Sequence, residues 1–309
     1  MEDKILHIVN GDSLVSRLHT LGINDDQLVW REMLCEGKTV FHLDSEEFKT
    51  ARVSYLEKFS ATEKTYVDSF LTPLLETAYN TYTSIVLWFE YDLFCHINMM
   101  AALSHLKKQK LDTPIYLVCS GWIEHEANLK GLGELTDKQL QQHYDDKILL
   151  TNDDIMLANE LWRLYCADDH TYFKEFVTDS SSFPYLSNCI SAHLKRFPDI
   201  TNGLSRLETN ILNIIHKEKV NDVHHLTGYA LQYQGFYGFG DLQIKKIIDK
   251  LAIFFETQNE QLVLNRKGHL ALESIRSFYE EVSDGTTFGG CKKYEFCYHP
   301  SLQILTKHE

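Results

Sequence analysis

The chain has 309 residues, with 30 Lys+Arg against 44 Asp+Glu for a formal net charge of −14; 44% of residues are hydrophobic and 24% charged. Those proportions exclude a disordered, collagenous or low-complexity chain, and the length predicts two domains, each able to bury its own core. The acidic balance argues against a nucleic-acid coat or a binder of anionic membranes, because phosphate binding relies on Lys and Arg displacing counterions.

The charge is unevenly spread. Residues 1–150 carry 14 basic and 23 acidic side chains (−9), residues 151–200 carry 4 and 8 (−4), and residues 201–309 carry 12 and 13 (−1). The change coincides with Pro and Gly punctuation between Arg196 and Gly203. The expected organisation is an α/β domain over 1–150, a helical connecting region over 151–200 and a C-terminal domain over 201–309. Seven Cys (Cys35, Cys95, Cys119, Cys166, Cys189, Cys291, Cys297) form no CxxC pair, and most sit in apolar runs as reduced, buried thiols do. Met1-Glu2-Asp3-Lys4 places acids where a signal peptide needs positive charge, and no apolar stretch approaches the roughly 18 residues of a membrane span. A cytoplasmic protein with no membrane attachment is expected.

In chain order, Ile5–Val9 reads as a strand broken by Asn10-Gly11-Asp12. An apolar helical period through Leu14, Leu18 and Leu21 comes next, with Ser13 as its expected N-cap and Gly22 as its C-terminal stop. Gln27–Met33 reads as a second strand, Ser84–Glu90 as a third and Ile115–Cys119 as a fourth. Helices are expected at Ser45–Phe59, Thr62–Tyr79 and Asp92–Lys108. Nearly continuous apolar strands separated by helices predict an open, mostly parallel, Rossmann-like sheet covered on both faces, which binds ligands beyond the carboxyl ends of its strands. Further helices are expected at Asp153–Tyr165, Tyr172–Thr178 and Tyr185–Arg196. A capping box, Ser205-Arg206-Leu207-Glu208, opens another helix. Asn221–Gln232 and Asp241–Leu251 continue the helical pattern, and Ile253–Glu256 with Gln261–Leu264 form a hairpin. Three helices followed by a hairpin is the winged-helix order.

Polar residues collect just after the expected strands. The first strand ends in Asn10, Asp12 and Ser13; the second in Trp30, Arg31, Glu32 and Glu36; the third in Glu90, Asp92, His96 and Asn98. Each can be a turn or cap by itself, but three clusters at one sheet edge point to a ligand site. In one reading the N–H groups after Gly11, with the Ser13 hydroxyl, bind an anion. In another, Asp12, Glu32, Glu36, Glu90, Asp92 and His96 ligate a hard cation, Asp92 and His96 lying four apart on one helix face. In a third, Ser13 is a nucleophile: Gly11-Asp12-Ser13-Leu14 is similar to the string that names a family of esterases, with Gly22-Ile23-Asn24-Asp25 and Asp222-Val223-His224-His225 mimicking its later blocks. Their spacing opposes this reading, since the second block comes too soon after Ser13 and His225 falls in a separate helical region. In a fourth, Glu32, Glu36 or Glu90, set among Trp30, Met33, Leu34, Trp88 and Phe89, is a general acid or base of raised pKa, the plainer account being ion pairs to Arg31 or Arg17. His7, Asn10, Gly11, Trp30, Arg31, Glu36 and Asn98 complete the expected ligand-binding set, around catalytic candidates Asp12, Ser13, Glu32, Glu90 and Asp92.

Other candidates weigh less. Glu124-His125-Glu126 comes after the fourth strand, and Cys291, Cys297 and His299 lack evident partners. The Asp241 helix carries Lys245, Lys246 and Lys250 beside the apolar stripe Ile244, Ile247, Ile248 and Leu251. With a segment charge of −1, a protein-docking or structural role for 201–309 is favoured over a DNA reader.

Three blocks carry a resemblance: His7-Ile8-Val9-Asn10-Gly11-Asp12-Ser13, Trp30-Arg31-Glu32-Met33-Leu34-Cys35-Glu36-Gly37 and Leu87-Trp88-Phe89-Glu90-Tyr91-Asp92-Leu93-Phe94-Cys95. Over residues 4–120 the chain resembles domain of unknown function family 1835, and Gly203–Glu208, Gly240-Asp241-Leu242 and Gly289-Gly290 are similar to the C-terminal part of such proteins. The family pattern has Gln where His96 stands, which weighs against an Asp92–His96 metal pair. The resemblance implies a site at the three blocks and no particular reaction. A small anionic or nucleotide-like ligand, bound and hydrolysed or transferred there, is the leading expectation; a ligand-sensing or protein-docking regulator is the second.

Overall fold

The computed structural model describes residues 4–178 and 180–308, so Met1-Glu2-Asp3 of the acidic N-terminus lies outside the described residues. The chain divides into two compact units. The first comprises Met1–Asp168, Thr178–Leu186 and Phe288–Gly290, and the second Asp169–Val177, Ser187–Thr287 and Cys291–Glu309.

The first unit is mixed α/β around a five-stranded sheet. Its strands are β1 (Ile5–Asn10), β2 (Asp26–Trp30), β3 (Ser84–Phe89), β4 (Ile115–Cys119) and β5 (Ile148–Leu149), in the spatial order β2-β1-β3-β4-β5. The first four are parallel and β5 is antiparallel to β4. β1 and β3 are buried along nearly their whole length, which accounts for their continuous apolar runs. Helices cover both faces. One face carries the cluster of Val9, Val86, Trp88 and Val118 with Leu14 from the turn before α1 (Val15–Thr20), Leu18 from α1 and Leu140 from the Asp137–Asp145 helix. The Leu93–Lys108 helix, here α2, packs closely with the Asn152–Tyr165 helix, and all but three of its sixteen residues are buried. Its buried polar side chains, His96, Asn98, Ser104 and His105, are each hydrogen bonded, as such burial requires.

Four local expectations are corrected. Ser13 is not an N-cap: it sits inside a 3-10 turn, Asp12–Leu14, that runs into α1, and the capping position is Gly11 at φ 89°. The positive φ needs Gly, and Gly11 N–H still donates to the Trp30 carbonyl (3.1 Å). The second strand ends at Trp30 rather than Met33, because Arg31 turns to Asp12 and Glu32 turns inward to Arg52. The single helix expected over Thr62–Tyr79 is broken into Glu63–Tyr66, a π-helical stretch Val67–Leu71 and Thr72–Glu76. Pro73 has no N–H for the Ser69 carbonyl, and Arg31 Nη1 donates to that oxygen instead (2.8 Å). Tyr172–Thr178 is a 3-10 stretch beginning at Thr171.

The second unit contains helices Arg206–Lys217, Val223–Gln232 and Asp241–Lys250, followed by an antiparallel hairpin, Phe255–Gln258 with Gln261–Leu264. Asn259 and Glu260 both have positive φ, as a two-residue hairpin turn of the mirror-image type demands. The Ser205–Glu208 capping box forms as read from sequence. The seven cysteines are unbridged, and no described helix is long and apolar enough to cross a membrane.

Candidate functional site

The strand order puts a topological switch point between β1 and β3: the chain leaves β1 for β2 on one side, then crosses to β3 on the other. In open parallel sheets the crevice at such a point, beyond the carboxyl ends, is where ligands bind. Asn10 ends β1 there with Gly11 next to it, and Glu90 and Asp92 come just after β3.

Among the described residues, Glu90, Asp92 and Cys95 are the group that could offer three metal-ligand atoms, all within 4.8 Å of one another. Asp92 is the buried N-cap of α2 and accepts from Cys95 N–H (2.8 Å). Burial pushes its carboxyl up to about 6, against the opposing pull of the N–H groups at the helix start. Glu90 is half-buried and is pushed up to about 7, chiefly by desolvation and then by the charge of Asp92, although Leu132 and Gly133 N–H groups donate to it. The Cys95 thiol is driven well above its ordinary value by burial and by both carboxylates, so it carries its proton. Its sulfur accepts from Asn10 Nδ2 (3.0 Å).

Asn98 acts as a bracket beneath this cluster. Its Nδ2 donates to Asn10 Oδ1 (2.9 Å) and to the Glu32 carbonyl (2.7 Å), while its Oδ1 accepts from Leu34 N–H (3.2 Å). The bracket ties the end of β1, the segment after β2 and α2 into one frame. The opposite wall is the loop after β4 and its return. Lys130 N–H donates to the Gly121 carbonyl (2.8 Å), and a Cβ on Gly131 would stand 2.8 Å from the Glu90 carboxylate, so only Gly admits Glu90 here. Arg17 holds the same loop through the carbonyls of Leu132 (3.1 Å), Gly133 (2.9 Å) and Leu135 (2.5 Å). The Tyr185 hydroxyl accepts from Trp122 N–H (2.7 Å), and its ring meets Tyr91 edge-on at 6.0 Å. Trp122 is 66% exposed, whereas Trp30, Trp88 and Trp162 are at most 1% exposed.

The other expected site residues are engaged elsewhere. Asp12 pairs with Arg31 (2.6 Å), whose hydrogen bonds hold its carboxyl below the usual range. Glu32 is buried in a network with Arg52 (2.8 and 2.9 Å), Tyr66 OH (2.7 Å) and Met33 N–H (2.8 Å). Glu36 accepts from Tyr55 OH (2.9 Å), and Trp30 packs edge-on against Phe70. His7 lies in mid-strand, its Nδ1 accepting from Trp88 Nε1 (3.0 Å), and burial lowers its pKa. His96 turns its Nδ1 to the Asp92 carbonyl (2.9 Å), its ring held neutral to about 4 by burial, and it is not part of the carboxylate cluster. Ser13 is exposed, and among the described residues no histidine is hydrogen bonded to it. Sequence reasoning missed Cys95, which reads as core within Leu93-Phe94-Cys95. It also missed the Gly131–Gly133 loop, whose only signal is its glycine spacing, and Trp122.

No protein-family model matches the chain, and neither does any curated protein.

Proposed function

We propose that the crevice beyond β1 and β3 binds a small nucleotide-like molecule and that Glu90, paired with Asp92, moves a proton in its hydrolysis or in transfer of a group. The observation that carries the reading is the carboxylate pair at the switch point, with Glu90 pushed up to about 7 and Asp92 to about 6. An acid poised near neutrality can both give and take a proton, which general acid–base work requires. Two carboxylates disfavour a phosphate beside them, so the ligand presents donors such as ribose hydroxyls or an exocyclic amine to the pair and directs any anionic group away. Trp122, exposed on the neighbouring loop, is a surface on which a heterocycle stacks. The resemblance of the three sequence blocks to domain of unknown function family 1835 supports the same location, and we propose that residues 4–120 form a domain of that kind. Trp122 is the sole exposed tryptophan among the described residues, so the share of the emission that is lost in Trp122→Phe is the signal from the site. Titration with nucleosides and their mono- and diphosphates is expected to quench it, with the effect weakened by Glu90→Gln; no quenching by any of them, or quenching unchanged in that variant, refutes the assignment.

A second reading concerns residues 205–264, whose three helices and hairpin match the winged-helix order. The Asp241–Lys250 helix exposes Leu242, Lys245, Lys246 and Asp249 on one side, a mixed surface that suits protein docking better than phosphate contact. Pull-down and gel-shift experiments with Lys245→Glu/Lys246→Glu test it, and binding of partner or DNA unaltered by both charges refutes it.

A further inference from the structure

The first unit holds a groove of about 350 Å³ lined by His42, Ser104, His105, Lys107, Lys108 and Lys110, with Asn159 beside them. The geometry points to a site for a small phosphate-bearing molecule, a phosphomonoester or a diphosphate. Three of the fourteen basic residues in this strongly acidic part of the chain fall within four positions and line one concavity. Lys108 is held by Asp44 at 2.5 Å, whereas Lys107 and Lys110 form no ion pair among the described residues. Lysines at a helix C-terminus complement the helix dipole, which explains their sign but not the cavity beneath them.

The walls of that cavity are mixed, with Phe41 and Leu43 beside the polar Ser104, His105 and Asn159. Ser104 and His105 are each only 6% exposed. Ser104 Oγ donates to Asn159 Oδ1 (3.0 Å), leaving the Asn159 amide N–H groups without a hydrogen-bond partner among the described residues. The His105 ring stands edge-on to Tyr79, and Gln109 Nε2 lies 3.3 Å from its Nε2. With the Asp44 carboxylate beside the groove taken up by Lys108, Lys107 and Lys110 over the Asn159 amide donors are an arrangement that takes a compact anion. The volume is at the small end of ligand pockets, fitting a phosphorylated fragment rather than a polymer.

This site is independent of the proposed function: α2 begins beside Asp92 and ends at Lys108, and sixteen helical residues separate the two by about 24 Å. Isothermal titration of the full chain with inorganic pyrophosphate at low ionic strength tests it. The parent is expected to bind one equivalent, and Lys107→Ala/Lys110→Ala to bind at least about tenfold more weakly, as loss of charge-assisted hydrogen bonds to an anion implies. Lys245→Ala/Lys246→Ala, which removes the same charge elsewhere, and Glu90→Gln are expected to bind as the parent does. Absence of saturable binding by the parent, or equal weakening in the groove variant and the Lys245/Lys246 control, overturns the proposal. Circular dichroism of each variant verifies that the fold is kept, which is expected because the replaced lysines are exposed.

Discussion

Glu90→Gln removes one charge and almost no volume, so its effect isolates what that charge costs. The folded protein holds the Glu90 carboxyl near pH 7 rather than at its ordinary 4.5, because water is excluded and Asp92 stands close. Between those two values the folded chain binds more protons than the unfolded one, so this group's contribution to stability falls as pH rises through the window and stays low above it. A shift of that size corresponds to about 2–3 kcal/mol after allowance for partial solvent access. Gln keeps a carbonyl oxygen for the Leu132 and Gly133 N–H groups. The variant is therefore expected to be more stable than the parent by about 2 kcal/mol at pH 8–9, with the difference vanishing below pH 5, where the parent's carboxyl is already neutral. All four tryptophans belong to the first unit, so urea unfolding followed by tryptophan fluorescence reads that unit alone. A stability difference that is flat from pH 5 to 9, or a destabilised variant at pH 8, refutes the account of Glu90.

Three further outcomes are expected. Arg52→Met, which strands the Glu32 carboxylate in a fully buried position, costs about 3–5 kcal/mol in the same unfolding assay, while Arg31→Met, at an exposed pair, costs under about 1 kcal/mol. Gly289→Ala costs about 2–4 kcal/mol, since its φ is +61° and a Cβ would clash with the Tyr165 carbonyl oxygen; thermal melting checks this. In the second unit His170 Nδ1 and His193 Nε2 lie 2.9 Å apart among Phe173 and Phe197, and burial holds the His193 pKa well below its ordinary value. Stability from His193 is present above pH 6.5 and is lost as pH falls, so His193→Asn is expected to flatten the acid limb of urea unfolding followed by methyl NMR signals of Ile211 and Leu212.

What was legible in the sequence was what is local. β1, β3 and β4 announced themselves because a strand buried on both faces must be apolar throughout, and the Ser205–Glu208 box because its two partners are three residues apart. β5 escaped because two residues show no period. The clustering of polar residues after strands located the sheet edge, yet it could not say which of them stay free. Glu32 and Asp12 looked like Glu90 in sequence; their partners Arg52 and Arg31 lie 20 and 19 positions away and meet them only through tertiary packing. Pro73 was visible, but its effect on the helix became clear only with Arg31 at the Ser69 carbonyl.

Phe288 and Gly289 pair in parallel with Gly37 and Lys38, and Gly290 N–H reaches the Tyr165 carbonyl, so a segment near the far end of the chain closes the first unit. During synthesis the first unit therefore waits. Its sheet can assemble as soon as Leu149 is free, but the Gly37–Lys38 edge keeps open backbone groups until residue 290 has emerged, long after the helices of the second unit have been made. A fragment ending at Asp168 would carry that open edge permanently, and a nascent chain stalled between the two points would be the form most exposed to strand-adding aggregation.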